Sequence, residues 1–117
     1  MKTLAQIRAM NALACYGREF GGQQGGEVIK KLPALIQNDG LLAALAFCLE
    51  KGGGYLEAAN LIAVHLAYRS EQGSIGITSQ TEIPCLIQEL AEADASLLRR
   101  ATVEALALLN YMKRFAG

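Results

Sequence analysis

The sequence predicts an all-α fold, a compact bundle of about six helices that forms a single domain over residues 1–117. Hydrophobic residues make up 52% of the chain, and Ala and Leu, the strongest helix formers, dominate them. Only two prolines and short β-branched runs are present, which leaves little material for a sheet. Apolar residues also recur at helical spacing along most of the chain.

The first helix is predicted at about residues 3–20. Thr3 and Gln6 have the spacing of a capping box. Two cations, Arg8 and Arg18, share one stripe of this helix at the same helical period as Asn11 and Cys15. A second stripe is predicted to be its apolar face: Ala9, Leu13, Tyr16 and Phe20.

A glycine-rich segment at residues 21–26 is predicted to be a flexible connector. A phosphate-binding loop is disfavoured there, because the segment lacks the Lys-Ser/Thr ending and no strand-like run precedes it.

The second helix is predicted at about 27–38, with Pro33 kinking it or starting a new turn. A turn at residues 38–40 should close it, because Asn, Asp and Gly tolerate left-handed backbone conformations. The third helix, at about 40–51, is nearly all apolar and is therefore expected to be central. The glycines at 52–54 are predicted to end it.

The fourth helix is predicted at about 55–70 and is apolar almost all round. Residues 71–79 are predicted to be a loop. The fifth helix should start near Ser79 or Thr81, because proline at position 84 is tolerated in the first turns of a helix.

The last and longest helix is predicted at about 95–115, with Asp94 as its N-cap. Its apolar positions mark a long buried face: Leu98, Ala101, Ala105, Leu108, Leu109 and Met112. The sequence contains no internal repeat and no linker long enough to divide the chain.

Charge is distributed unevenly although the formal net charge is zero. Residues 1–20 carry three cations against one acid, and residues 95–117 carry four against one. Residues 54–94 carry one cation against six acids. The zero total argues against a free-standing nucleic-acid binder. The dipolar pattern allows a polyanion on one face and a basic partner on another.

The three cysteines, Cys15, Cys48 and Cys85, are odd in number and form no C-x-x-C motif. They are predicted to be buried, reduced thiols of a cytosolic protein. The N-terminus has no pattern of a signal peptide. The longest charge-free apolar run, at residues 41–49, is far shorter than the ~20 residues that span a membrane. We therefore expect a cytoplasmic protein.

Candidate catalytic residues are few. His65 is the only histidine and is predicted to be a core residue with one hydrogen bond. The acids Glu82, Glu89, Glu92 and Asp94 are predicted to form a solvated face, or alternatively a docking surface for a basic neighbour. With no multi-histidine site and no activated cysteine, we expect no enzyme activity, no metal and no cofactor.

The basic residues are better functional candidates. Lys113 and Arg114 end the last helix, where they complement the helix dipole or contact phosphates, and the sequence favours neither role. The same two roles are open for Lys30 and Lys31.

Residues 30–41, with the sequence KKLPALIQNDGL, and the continuation Leu45–Cys48, followed by Lys51, form a distinctive motif. It resembles the signature of the small-subunit family of the Cmr complex, the type III-B CRISPR RNA-guided effector. Residues 1–9 resemble the start of that family, and residues 109–116 resemble its C-terminal helix. The acidic segment 71–94 matches no pattern of the family.

The resemblance implies an α-helical, non-catalytic subunit that stacks in several copies beside the subunits that hold the CRISPR RNA. Its partners would be other Cmr proteins, further copies of itself, CRISPR RNA and target RNA. Lys and Arg side chains would contact the RNA backbone and not the bases, because base pairing between guide and target determines the sequence specificity. The candidate RNA-binding residues are Arg8, Arg18, Lys30, Lys31, Arg69, Arg99, Arg100, Lys113 and Arg114. The alternative function is a pure protein–protein scaffold without nucleic-acid contact. For Arg8 and Arg18, the alternative is that they are surface cations without a ligand.

Overall fold

The computed structural model describes residues 1–16, Phe20 and residues 25–115. These residues form six α-helices and one short 3-10 helix. No strand occurs in these ranges, so the predicted all-α bundle is confirmed. The helices are α1 Leu4–Ala12, α2 Gly25–Asp39, α3 Leu41–Lys51, α4 Gly53–Ala67, α5 Ile83–Glu92 and α6 Ala95–Phe115, with the 3-10 helix at Leu13–Cys15.

Helix α1 begins at the predicted capping box. The Thr3 hydroxyl accepts a hydrogen bond from the Gln6 backbone at 3.1 Å, and the Gln6 side chain accepts one from the Thr3 backbone at 2.8 Å. The predicted extent to residue 20 is wrong, because the α-helix ends at Ala12 and continues only as the 3-10 helix. Tyr16 then leaves the helical region with φ −56° and ψ 122°.

The predicted apolar face of the first helix is only partly correct. Phe20 is buried, but Leu13 is 53% exposed and Tyr16 is 74% exposed. The residues that enter the core here are instead Ile7, Ala12 and Cys15. The prediction assumes an α-helical period throughout, whereas a 3-10 segment has 3.0 residues per turn, so the predicted face drifts away from the core.

The α2–α3–α4 region follows the predicted boundaries within a few residues. Helix α2 runs through Pro33 without interruption. Gly40, at φ 91°, allows the sharp change of direction into α3. The glycines at 52–54 do not merely end α3: Gly52 is the junction, and α4 already begins at Gly53.

The connection between α4 and α5 is longer than predicted. It covers residues 68–82, and we call it the 68–82 loop. Helix α5 starts at Ile83, later than the predicted Ser79 or Thr81, with Pro84 in its first turn. The loop is held by backbone hydrogen bonds, including Ile75 N to Tyr68 O at 2.9 Å and Lys2 N to Gln72 O at 2.7 Å.

Two of the three cysteines are buried as predicted. Cys15 and Cys48 lie in the core, and burial raises the pKa of the Cys48 thiol to about 11. The prediction is wrong for Cys85, which is exposed. The reason is its position on α5, whose buried face is formed by Ile83, Leu86 and Leu90.

Helix α6, like α4, contacts each of the other five α-helices of the bundle. The predicted apolar face is confirmed except at Leu98, which is only partly buried. The buried side chains of α6 include Glu104, a polar residue that the pattern does not predict. They are Ala101, Glu104, Ala105, Leu108, Leu109 and Met112. Among the described residues, no helix has the length and hydropathy needed to cross a membrane.

Replacing Asp94 by Ala should destabilise the protein by about 1 kcal/mol, because an Asp N-cap satisfies a backbone donor in the first turn. The Asp94 carboxylate accepts the Leu97 backbone N–H at 2.8 Å. Urea unfolding of the two proteins measures the difference. Asp94→Asn, which keeps a capping acceptor, should recover most of the stability. Equal losses in both variants would contradict the capping role.

Candidate nucleic-acid interface

A polar cluster of four side chains joins three helices inside the bundle: Arg8, Asn11, His65 and Glu104. The Arg8 guanidinium donates two parallel hydrogen bonds to the Glu104 carboxylate. Nε lies 3.0 Å from Oε1, and Nη2 lies 2.6 Å from Oε2. His65 Nε2 lies 3.1 Å from Glu104 Oε1, and Asn11 Nδ2 lies 2.8 Å from His65 Nδ1. The cluster therefore links α1, α4 and α6.

The protonation state of the polar cluster follows from its geometry. A carboxylate only accepts hydrogen bonds, so His65 Nε2 donates to Glu104 and His65 Nδ1 accepts from the Asn11 amide. Burial lowers the pKa of His65 and outweighs the attraction of the Glu104 carboxylate, which keeps the imidazole neutral. Burial alone would raise the pKa of Glu104, but the hydrogen bonds from Arg8 and His65 bring it below its ordinary value.

The prediction that His65 is a core residue is correct, since its side chain is fully buried. It has two hydrogen-bond partners instead of one. These partners are hidden from the sequence pattern, because Asn11 and Glu104 lie 54 and 39 positions away along the chain. Both ring nitrogens and both carboxylate oxygens are thereby engaged within the protein.

The structure separates the predicted RNA-binding cations into groups. Arg8 is held in the polar cluster with a side-chain exposure of 23%, and Arg18 lies outside the described residues. Arg69 donates to the Gly76 carbonyl at 3.3 Å, within the 68–82 loop. Lys30 and Lys31 are exposed on α2, and Lys31 lies 3.8 Å from Glu27.

The remaining four predicted cations lie on α6, and we call them the cation face of α6: Arg99, Arg100, Lys113 and Arg114. All four are exposed. The two pairs are 14 residues apart, which is about 21 Å along the helix and within about 40° around it. In the described parts of the chain, no carboxylate pairs with any of the four.

Arg99 and Arg100 also line a groove of about 470 Å³ between α6, the start of α1 and the 68–82 loop. We call it the α6 groove. Its lining combines cations, hydroxyls and aliphatic side chains. The lining residues are Leu4, Ser74, Ile75, Ile77, Ser96, Arg99, Arg100, Val103 and Glu104.

The acids predicted to form a solvated face lie on and beside α5. Glu82, Glu92 and Asp94 are exposed, and Glu89 is half-buried. Over residues 1–16, 20 and 25–115, no group of three or more His, Cys, Asp or Glu side chains could hold a metal ion.

The comparison with known families gives one result that covers nearly the whole chain. The model of the family described as CRISPR-associated protein (Cas_Cmr5) matches residues 4–117. No curated protein and no solved structure gives a match.

Acidification should destabilise the protein in two steps, because two groups among the described residues, His65 and Glu104, have lowered pKa values in the folded state. Neutral His65 contributes to the free energy of unfolding above about pH 6.5, the pKa of histidine in the unfolded chain. This contribution is lost as the pH falls below that value. The Glu104 contribution follows below about pH 4.3. Urea unfolding between pH 7 and 5.5 isolates the first step, since His65 is the only histidine. His65→Gln should flatten the stability profile over that range; an unchanged slope would contradict the assignment.

Glu104→Gln should cost roughly 3 kcal/mol, because removing one partner of a buried ion pair leaves the other uncompensated. The exposed Glu50→Gln change is the matched control and should have little effect. The difference is measured by urea unfolding at pH 7. A Glu104→Gln protein as stable as the control would show that the Arg8 ion pair contributes no net stability.

Proposed function

Because the chain belongs to the Cas_Cmr5 family, the small subunits of type III-B CRISPR Cmr complexes, we propose that it is a non-catalytic structural subunit of such a complex. It stacks in several copies and contacts the backbone of the guide or target RNA through basic residues. Its partners are the other Cmr proteins, further copies of itself and the two RNAs. It acts in the cytoplasm, in antiviral defence.

The observation that carries the RNA contact is the cation face of α6. Phosphate contacts are made by Lys and Arg side chains, and they position a nucleic acid without reading its sequence. A single rigid helix holds the pairs Arg99–Arg100 and Lys113–Arg114 about 21 Å apart, which offers two points of contact to one RNA. Backbone contact is sufficient in a guided complex, because pairing between guide and target supplies the specificity.

The polar cluster supports a non-catalytic role. A general base must reach the proton that it abstracts and must have a free acceptor. His65 is fully buried with both nitrogens engaged, and the Glu104 carboxylate is bound by Arg8 and His65. The burial-raised pKa of Cys48 likewise disfavours a nucleophilic thiolate at neutral pH.

A pure protein–protein scaffold is the second candidate, and one observation favours it. Large apolar side chains are exposed at several places, including Leu13 at 53%, Tyr16 at 74% and Val64 at 53%. Exposed apolar surface is commonly covered by a partner protein. In that function the cation face of α6 would bind acidic faces of neighbouring subunits and not RNA.

Alanine replacement of either pair on the cation face, Arg99/Arg100 or Lys113/Arg114, should weaken target-RNA binding by the assembled Cmr complex. We expect RNA affinity to fall about fivefold or more. The salt dependence of binding should also become shallower, by about 1 in slope for each phosphate that is no longer neutralised. Filter binding at several salt concentrations measures both quantities.

The control for this experiment is Lys2→Ala combined with Lys51→Ala, which removes two positive charges elsewhere and should leave RNA affinity unchanged. Thermal unfolding verifies that each variant folds, and co-purification verifies that it joins the complex. Ultraviolet crosslinking of target RNA to the wild-type chain provides a second measurement. Unchanged affinity in both double variants together with no crosslink would reject RNA contact and leave the scaffold function.

A further inference from the structure

The α6 groove has one wall with an unusual construction. The 68–82 loop crosses 15 residues without a helix, whereas most connections in compact domains are much shorter and long ones are commonly functional. Its middle is nevertheless well fixed: Ile75 N and Gly76 N donate to Tyr68 O at 2.9 and 3.0 Å, and Ile77 N donates to Leu66 O at 2.9 Å. The loop thus forms a preorganised wall.

This wall is aliphatic at its base and polar at its edge. Ile75 and Ile77 are each only 7% exposed, so they face the groove from the core. Ser74, at the edge, is exposed and adds a hydroxyl. Leu4 of α1 contributes a further apolar side chain that is 49% exposed.

The opposite wall is a single face of α6. Residues 96, 99, 100 and 103 have the spacing i, i+3, i+4 and i+7, which places them on one side of a helix. They present a hydroxyl, two guanidinium groups and the aliphatic side chain of Val103, which is 57% exposed. The groove therefore has cations and hydroxyls at its rim and a floor of Ile75 and Ile77, and Val103 adds an exposed aliphatic group on the α6 side.

The acid in this groove does not neutralise the rim arginines. Both oxygens of Glu104 are bound by Arg8, and one also accepts from His65. Arg99 and Arg100 have no carboxylate partner among the described residues. The planar, multidonor guanidinium group matches the geometry of phosphate oxygens, so the rim suits a phosphate.

We propose that the α6 groove binds one nucleotide of single-stranded RNA, with its phosphate on Arg99 and Arg100 and its base against Val103 and the floor of Ile75 and Ile77. The volume of about 470 Å³ lies in the range of small-molecule sites. Apolar side chains can cover the face of any base, so the site does not select a sequence. The inference rests on the proposed RNA contact and extends it from phosphate contact to coverage of a base.

Nuclear magnetic resonance titration of the ¹⁵N-labelled full chain tests the site with three probes: uridine monophosphate, inorganic phosphate and uridine. Uridine monophosphate should shift the amides of residues 74–77 and 96–103 and bind at least about tenfold more tightly than either fragment, a difference of about 1.4 kcal/mol. Equal binding of phosphate and the nucleotide would overturn the role of the aliphatic floor.

Three variants assign the titration to the groove. Ser96→Trp fills the groove at an exposed position without changing charge and should abolish the nucleotide shifts. Arg99→Glu with Arg100→Glu should do the same. Lys2→Glu with Lys51→Glu makes the same change of charge at residues outside the groove lining and should leave nucleotide binding within about threefold of the wild type. Nucleotide binding that survives Ser96→Trp would overturn the proposed site.

Assembled complexes that carry Ser96→Trp separate this inference from the proposed function. Reduced target-RNA affinity with normal assembly supports occupation of the groove by RNA. Unchanged RNA affinity with Ser96→Trp, alongside weaker binding by the Lys113/Arg114 alanine variant, overturns the groove proposal and leaves the RNA-contacting subunit intact. Uridine monophosphate binding without any RNA effect from Ser96→Trp assigns the groove to a free nucleotide and also overturns it.

Discussion

The bidentate pair between Arg8 and Glu104 is the constraint on which the arrangement of the bundle depends. Burying a carboxylate in a helix interface is unfavourable unless its oxygens are satisfied. Here Arg8 supplies both bonds from α1, and His65 adds a third from α4. Because α6, like α4, packs against all the other α-helices, this pair fixes α1 on one of the two helices at the centre of the bundle. A purely apolar contact would allow α1 to slide more easily along α6, since apolar packing is less directional than a pair of hydrogen bonds.

The same pair also shapes the α6 groove, for which we propose contact with RNA. Glu104 reaches the α6 groove, and an unpaired carboxylate there would attract Arg99 and Arg100. Because Arg8 already occupies that carboxylate, the rim arginines keep their donors for an external anion. Arg8 thus has a structural role, and its pairing with Glu104 leaves Arg99 and Arg100 available to bind an external anion. The unbroken 21 residues of α6 then set the distance from this pair to Lys113 and Arg114.

Much of the fold could be predicted from local signals. The capping box at Thr3 and the N-cap at Asp94 are encoded within four residues, and α6 has its predicted bounds of 95–115. The end of α1 could not be predicted in this way. Tyr16 continues the α-helical period, but the chain tightens into a 3-10 helix and turns where Cys15 packs against the end of α6, its thiol 3.6 Å from the Met112 carbonyl. That contact spans 97 positions, which no local pattern contains.

The site shows the same division between composition and tertiary structure. The cations can be counted from the sequence, but only the folded chain separates Arg8, paired with a residue 96 positions away, from Arg99 and Arg100. This distinction also changes the meaning of the zero net charge. Arg8 and Glu104 cancel each other in the interior, whereas the exposed cations of α6 form no ion pair with the exposed acids Glu82 and Glu92. A phosphate backbone responds to the local field of a surface and not to the sum over the chain. A neutral protein can therefore bind RNA on one face while another faces a protein neighbour.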